Sequence, residues 1–128
     1  MWDDLERSAV YPIEVELLER RAGRAAADAL RAPFVLGNVD ELLALFRGAG
    51  VNSVEIRMKT GTARFPSIRV MVEADLRGWL PVMGVELAQD LIEGILLETE
   101  DALREFVTPE GQVVFDSPAL IITGRPVA

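Results

Sequence analysis

Only two segments of this 128-residue chain have the pattern of a long β-strand, and this restricts the fold more than any other feature. In the first segment, Val54, Ile56 and Met58 alternate with charged residues until Pro66 ends the run. The second segment runs from Gln112 to Arg125. Because the pattern between them is mostly helical, the second strand is expected to return beside the first. The sequence therefore predicts an α+β fold in which helices pack on a small antiparallel sheet.

Helices are indicated by apolar residues at helical spacing and by capping, Gly and Pro residues at the ends of these runs. Asn38, with Glu41 three residues later, resembles a capping box. The predicted helices cover residues 10–22, 24–31, 39–48, 67–77 and 85–106. Residues 77–84, RGWLPVMG, are predicted to form a hydrophobic linker. The predicted core contains Leu42, Leu45, Phe46, Ile56, Met58, Leu91, Ile95, Leu120 and Ile122. Length and pattern together favour a single domain, residues 1–128, with a helical insertion at about 67–106.

Composition argues against several classes of function. The chain has no Cys and no His, which excludes disulfides, thiol catalysis and the usual zinc ligands. The acidic residues between Asp90 and Asp101 are too loosely spaced for metal ligands and indicate a solvated face, so no metal site is predicted. A net charge of −8 argues against nucleic acid and against an anionic membrane surface as partners. No apolar run approaches the roughly 20 residues of a membrane span, and the predicted location is the cytoplasm.

Four aromatic residues next to loops, together with one carboxylate, are candidates for lining a substrate pocket. Trp2, Phe34, Phe65 and Trp79 are suited to enclosing an apolar small molecule. The alternative is that they are plain core residues, which is the commoner fate of aromatic side chains. Asp3 is suited to placing a carboxylate at the mouth of such a pocket, or to stabilising the start of a helix.

The order of several short segments resembles the C-terminal part of class I S-adenosylmethionine-dependent methyltransferases of the ubiquinone/menaquinone-biosynthesis-like group. The WD dipeptide resembles the end of the fifth strand of that fold, and TARFPS resembles the point where such proteins insert helices before a seventh strand. The segments that carry the resemblance are Trp2-Asp3, Pro33–Gly37, Glu41–Gly50, Val54–Arg57, Thr62–Ser67 and Ala119–Pro126. The resemblance implies a fold that corresponds to the back half of a Rossmann-like methyltransferase.

This resemblance implies S-adenosylmethionine as the cofactor, but the family binds it through a glycine-rich strand–helix turn that occurs nowhere in the 128 residues. We therefore expect no cofactor to bind this chain alone, and we expect the isolated chain to be inactive. The chain is interpreted as the sheet-completing, substrate-lid portion of such an enzyme. Neither the methyl acceptor nor a catalytic residue is indicated, because this class works mainly by positioning its substrates. Tyr11 is the one tyrosine of the chain, and a lone tyrosine is usually structural rather than catalytic.

In the family, the seventh strand lies between the fifth and the sixth. Here the fifth strand is reduced to Trp2 and its neighbours, which would leave one edge of the strand containing ALIIT bare. Because bare edges pair with other chains, a homodimer is predicted. The alternative function is a stand-alone dimeric module for ligand binding or assembly, derived from a methyltransferase tail.

Overall fold

One two-stranded antiparallel sheet is present in residues 1–126, the part of the chain that the computed structural model describes. Strand β1 (Val51–Phe65) pairs with β2 (Val113–Pro126) along almost its whole length. The register shifts once, near Ser53, which has a positive φ of 55°. The predicted α+β fold and the antiparallel pairing are confirmed. The last two residues of the predicted domain lie outside the described residues.

Three α-helices precede β1, and each has bounds within one residue of the prediction. They are α1 (Tyr11–Ala22), α2 (Arg24–Arg31) and α3 (Val39–Gly48). The side-chain oxygen of Asn38 accepts a hydrogen bond from the backbone N–H of Glu41 at 3.0 Å. This cap satisfies one of the N–H groups that the first turn of α3 leaves without a helical partner.

The first part of the connection between the strands differs from the prediction, because the helix continues where a linker was expected. Helix α4 (Ile68–Glu73) passes into a π-helical segment (Ala74–Trp79) and then into one α-helical turn (Leu80–Val82). In a regular α-helix the ring of Pro81 would clash with the carbonyl four residues earlier. The wider spacing of a π-helix ahead of Pro81 relieves this clash, so the helix continues. The predicted linker at residues 77–84 is wrong.

Helix α5 (Gln89–Ala102) is shorter than the predicted helix 85–106. Residues 85–88 are not helical, and α5 ends at Leu103, whose φ of −102° and ψ of 10° leave the helical region. A short 3-10 turn (Arg104–Phe106) then leads towards β2. Among the residues that the structure describes, no helix is both long enough and apolar enough to cross a bilayer.

The main hydrophobic core lies between α1, α2, α4 and its π-helical extension, α5 and the start of β2. Val113 and Phe115 are the residues of β2 that belong to it. Its largest fully buried apolar side chains are Leu18, Leu30, Met71, Leu76, Leu80, Ile95, Leu96 and Leu103. The core therefore covers one end of the sheet and leaves the rest of β1 less protected.

The predicted core is correct in part. Leu42, Ile95 and Leu120 are buried. Leu45 is 56% exposed and Met58 is 50% exposed, so these two predictions are wrong. The remaining predicted core residues are half-buried, namely Phe46, Ile56, Leu91 and Ile122. The alternating pattern of β1 predicts one buried face, but residues 57–62 are exposed on both faces.

Acidic residues of α5 form ion pairs with basic residues of neighbouring helices. Arg69 of α4 lies 2.6 Å from a carboxylate oxygen of Glu93 and 3.4 Å from one of Glu100. Arg20 of α1 lies 2.8 Å from Glu98. All of these side chains are more than a third exposed, so each pair contributes little to stability. The pairs are consistent with a solvated charged face along α5.

Candidate functional site

A cavity of about 280 Å³ lies between the N-terminal segment, α1, the loop after α2, the sheet and the π-helical segment. The structure brings all five predicted pocket residues to this one cavity, namely Trp2, Asp3, Phe34, Phe65 and Trp79. Their role in binding a substrate stays a prediction. The other lining residues are Ser8, Tyr11, Leu30, Pro33, Ala63, Asp75, Ser117 and Pro118.

The N-terminal segment reaches the cavity by pairing with the edge of β2 that β1 does not occupy. Trp2 forms an antiparallel bridge with Ala119. The N–H of Asp3 donates a hydrogen bond to the carbonyl of Pro118 at 3.2 Å. This pairing fixes the backbone positions of Trp2 and Asp3, which both line the cavity.

Gly37 holds the loop after α2 directly against the N-terminal segment. A Cβ atom at Gly37 would overlap backbone atoms of Asp3 and Asp4. Only a residue without a side chain allows two backbones to approach this closely. Gly37 therefore keeps the loop that carries Phe34 next to the segment that carries Trp2.

The π-helical segment Ala74–Trp79 supplies two side chains to the cavity, Asp75 and Trp79. The indole N–H of Trp79 donates a hydrogen bond to the carbonyl of Ala29 in α2 at 2.7 Å. This bond fixes the orientation of the ring in the cavity wall. π-helical turns inside α-helices occur frequently at functional sites, because they re-aim side chains relative to a regular helix.

Aromatic rings support one wall of the cavity in an unbroken series. Tyr11 contacts Phe34 at a centroid distance of 5.3 Å and Phe115 at 5.9 Å. Phe115 in turn stacks on Phe65 at 6.2 Å. Such contacts restrict each ring to one orientation, so this wall is largely pre-formed.

Three carboxyl groups lie in or directly behind the cavity, on Asp3, Glu14 and Asp75. Asp3 and Glu14 are only 2% and 1% exposed. Within residues 1–126, no N–H or hydroxyl group donates a hydrogen bond to Oδ2 of Asp3, to either oxygen of Glu14 or to Oδ2 of Asp75. The nearest cation to Asp3 is the solvent-exposed Arg7, at 3.7 Å from Oδ2. Buried carboxyl oxygens without donors are unusual and costly.

Burial raises the pKa of Glu14 well above its ordinary value, and the adjoining charge of Asp75 raises it further. Burial also raises the pKa of Asp75. A proton held by either carboxyl supplies a hydrogen bond to the other, so the two groups titrate as a pair. Burial, with the charges of these carboxyls, also raises the pKa of the Tyr11 phenol, which stays neutral.

The sequence analysis did not identify Glu14 or Asp75, although a signal for both was present. Glu14 lies four residues after Val10 and four before Leu18, which places it on the apolar stripe of α1. Asp75 lies four residues before Trp79, on the side of its helix that faces the cavity. A carboxylate on an apolar stripe is a signal worth testing, because it must be neutralised or paired when the stripe is buried.

Replacing Glu14 with glutamine is expected to reduce a pH dependence of stability. Because the pKa of Glu14 is raised in the folded chain, the folded state keeps a proton that the unfolded chain releases above its ordinary pKa of 4.5. The wild-type chain should therefore lose stability as the pH rises from that value towards the folded-state pKa, by up to about 1.4 kcal/mol per pH unit. Urea unfolding at a series of pH values measures this slope.

Glu16→Gln is the matched control, since Glu16 is exposed on the same helix. It should leave the slope unchanged, whereas Glu14→Gln should flatten it and stabilise the chain at alkaline pH. Equal slopes for the wild type and Glu14→Gln would contradict the assignment of a proton to the Glu14–Asp75 pair.

The ionisable groups that line the cavity are two carboxyls and a phenol. The expectation that no cofactor binds this chain alone stays a prediction. Within residues 1–126, no cluster of three His, Cys, Asp or Glu side chains is arranged to hold a metal ion. Comparison with protein-family models, with curated proteins and with solved structures finds no match to this chain.

Proposed function

We propose that this chain is the sheet-completing, substrate-covering portion of an S-adenosylmethionine-dependent methyltransferase. The observation that carries the proposal is the order of the paired segments. Trp2 bridges one edge of β2, β1 pairs with the other edge, and β2 runs antiparallel to both. The resemblance implies this order for the fifth, seventh and sixth strands, with the fifth strand reduced to the residues around Trp2.

The position of the cavity also supports the proposal. In Rossmann-like sheets, ligands bind beyond the carboxyl ends of the strands. Trp2 and Asp3 stand where the fifth strand would end, and both line the cavity. The helical connection between β1 and β2 supplies Asp75 and Trp79 to the lining of the same cavity, which supports a role for this connection as a substrate lid. Under this proposal the methyl acceptor is a small molecule and the chain lies in the cytoplasm.

Cofactor binding, under this proposal, belongs to a segment that carries a glycine-rich strand–helix turn. The coding sequence upstream of the codon for Met1 tests this. We expect it to encode such a turn and, at the end of the following strand, an acidic residue. A genome in which neither this upstream sequence nor an adjacent gene encodes such a turn would argue against the proposal.

A second candidate function is a stand-alone ligand-binding module. The observation that favours it is that the N-terminal segment, α1, the sheet and the π-helical segment of this chain come together around one cavity. The two functions share the small-molecule site and differ in the cofactor, so titration with S-adenosylhomocysteine separates them.

We further propose that the isolated chain forms a homodimer through the uncovered part of the sheet. Beyond the cavity, the same sheet face continues as an open groove that includes Trp2, Gly61, Ala119 and Ile121, together with Lys59 and three hydroxyl residues. Trp2 is 47% exposed and Ile121 is 40% exposed. A two-stranded sheet with exposed apolar side chains on an uncovered face is marginal alone, and a second copy related by twofold symmetry is the simplest cover.

Sedimentation velocity at micromolar concentration is expected to give a species of twice the 14.1 kDa chain mass. Ile121→Lys should shift the distribution to monomer, because it places a charge in the contact. Leu97→Lys is the control, since Leu97 is 67% exposed on α5 and should leave the dimer intact. A wild-type monomer with no concentration dependence would reject self-association.

A further inference from the structure

We infer that the cavity binds a ligand in which a positively charged nitrogen is attached to a small apolar body, as in a protonated amine or a quaternary ammonium. The inference depends on the proposed function in one respect, because it takes this cavity as the binding site of the methyl acceptor. Three properties of the cavity carry it, namely carboxyl residues with no basic residue in its lining, aromatic faces and size.

Two of the residues that line the cavity, Asp3 and Asp75, carry carboxyl groups. Of the residues that the structure describes, no lysine or arginine lines the cavity. The cation nearest to Asp3 is Arg7, at 3.7 Å from Oδ2, and its side chain is 61% exposed to solvent. A ligand ammonium group in the cavity would therefore be attracted by carboxyl groups and would meet no competing basic side chain in the lining.

Glu14, behind the cavity, adds to this preference. Its carboxyl adjoins that of Asp75 and is 1% exposed. Burial raises the pKa of both groups, and a cation beside them would stabilise their ionised forms. An anionic ligand would instead be repelled by these carboxyls, and a neutral hydroxyl would donate only an uncharged hydrogen bond, which is weaker than one from an ammonium group.

The aromatic residues supply the second part of the recognition. Trp2, Tyr11, Phe34, Phe65 and Trp79 all line the cavity. The face of an aromatic ring attracts a cation, and tryptophan does so most strongly. The same rings pack against an apolar ligand body, so one set of walls serves both ends of an amphipathic cation.

The size of the cavity limits the ligand. Its 280 Å³ lies just below the range of roughly 300–1,000 Å³ found for sites of drug-sized ligands. A ligand with one ring or one short chain beside its nitrogen fits this space.

Tryptophan fluorescence reports directly on the cavity, because the two tryptophans of the chain, Trp2 and Trp79, both line it. We would titrate the chain with 2-phenylethylammonium, 2-phenylethanol and phenylacetate, which share a body and differ in charge. The ammonium should bind at least about tenfold more tightly than the alcohol, which is the discrimination that one cation–π or charge-assisted contact provides. Phenylacetate should bind most weakly.

Asp75→Asn should reduce the preference for the ammonium over the alcohol to less than about threefold, since it removes a charge and keeps the shape. Asp116→Asn, at an exposed position of β2, is the matched control and should keep the full preference. Alcohol or phenylacetate binding as tightly as the ammonium in the wild-type chain would overturn the inference, as would the absence of any quenching by the ammonium. The methyltransferase proposal is tested separately, by S-adenosylhomocysteine binding, so the two can fail independently.

Discussion

Replacing Leu96 with alanine is expected to lower the free energy of unfolding by about 2–5 kcal/mol, the cost of removing a large apolar side chain from a packed core. Leu96 is 0% exposed and lies in the main core on the inner face of α5. Leu97→Ala is the control, because the neighbouring Leu97 is 67% exposed and should change stability by less than about 0.5 kcal/mol. Urea unfolding followed by circular dichroism measures both variants.

This pair of variants tests which face of α5 packs on the core, since the two residues are adjacent and differ almost completely in burial. Equal costs for the two substitutions, or a larger cost for Leu97→Ala, would mean that α5 presents a different face to the core.

Gly37→Ala is expected to have the second large effect, and to act on the cavity as well as on stability. Its Cβ would overlap backbone atoms of Asp3 and Asp4, so the loop and the N-terminal segment must separate. We expect a loss of about 1–3 kcal/mol, as for other overpacked sites. The fluorescence response to 2-phenylethylammonium should also fall by at least about tenfold in affinity, because Trp2 and Asp3 move away from the cavity.

Gly48→Ala is the control, because it makes the same glycine-to-alanine change at a position without a close backbone contact. Gly48 is the last residue of α3, and no atom lies within 4 Å of the Cβ that alanine would add. This variant should retain both stability and ligand response. A Gly37→Ala chain with unchanged stability and unchanged fluorescence response would show that the two backbones are not in contact.

The elements that depend on local pattern were predictable from the sequence. Alternation in β1, the cap at Asn38 and the turn at Pro66 identified a strand and two helix boundaries, because each is set by neighbouring residues. The five pocket candidates were chosen as aromatic or acidic residues beside loops. Their meeting in one cavity depends on the antiparallel return of β2, which the sequence also predicted.

The errors occur where packing overrides local pattern. Gly78 and Pro81 normally end a helix, but the π-helical segment lets it continue through them and places Asp75 and Trp79 together. Met58 has the alternation of a half-buried strand, yet it is 50% exposed, although its cross-strand partner Leu120 is buried. Glu14 is the opposite case. Its charge predicts an exposed side chain, but its place on the apolar stripe of α1 buries it.

Under the proposed function, this chain completes the sheet and covers the substrate of a methyltransferase whose cofactor site lies on another segment. Calorimetric titration with S-adenosylhomocysteine is the sharpest test, on the chain alone and on the chain joined to or mixed with the segment that carries the glycine-rich turn, whether that segment is encoded upstream of Met1 or by an adjacent gene. We expect saturable binding when that segment is present and none by the isolated chain. Equally tight binding in both cases, or no binding when that segment is present, would rule the proposed function out.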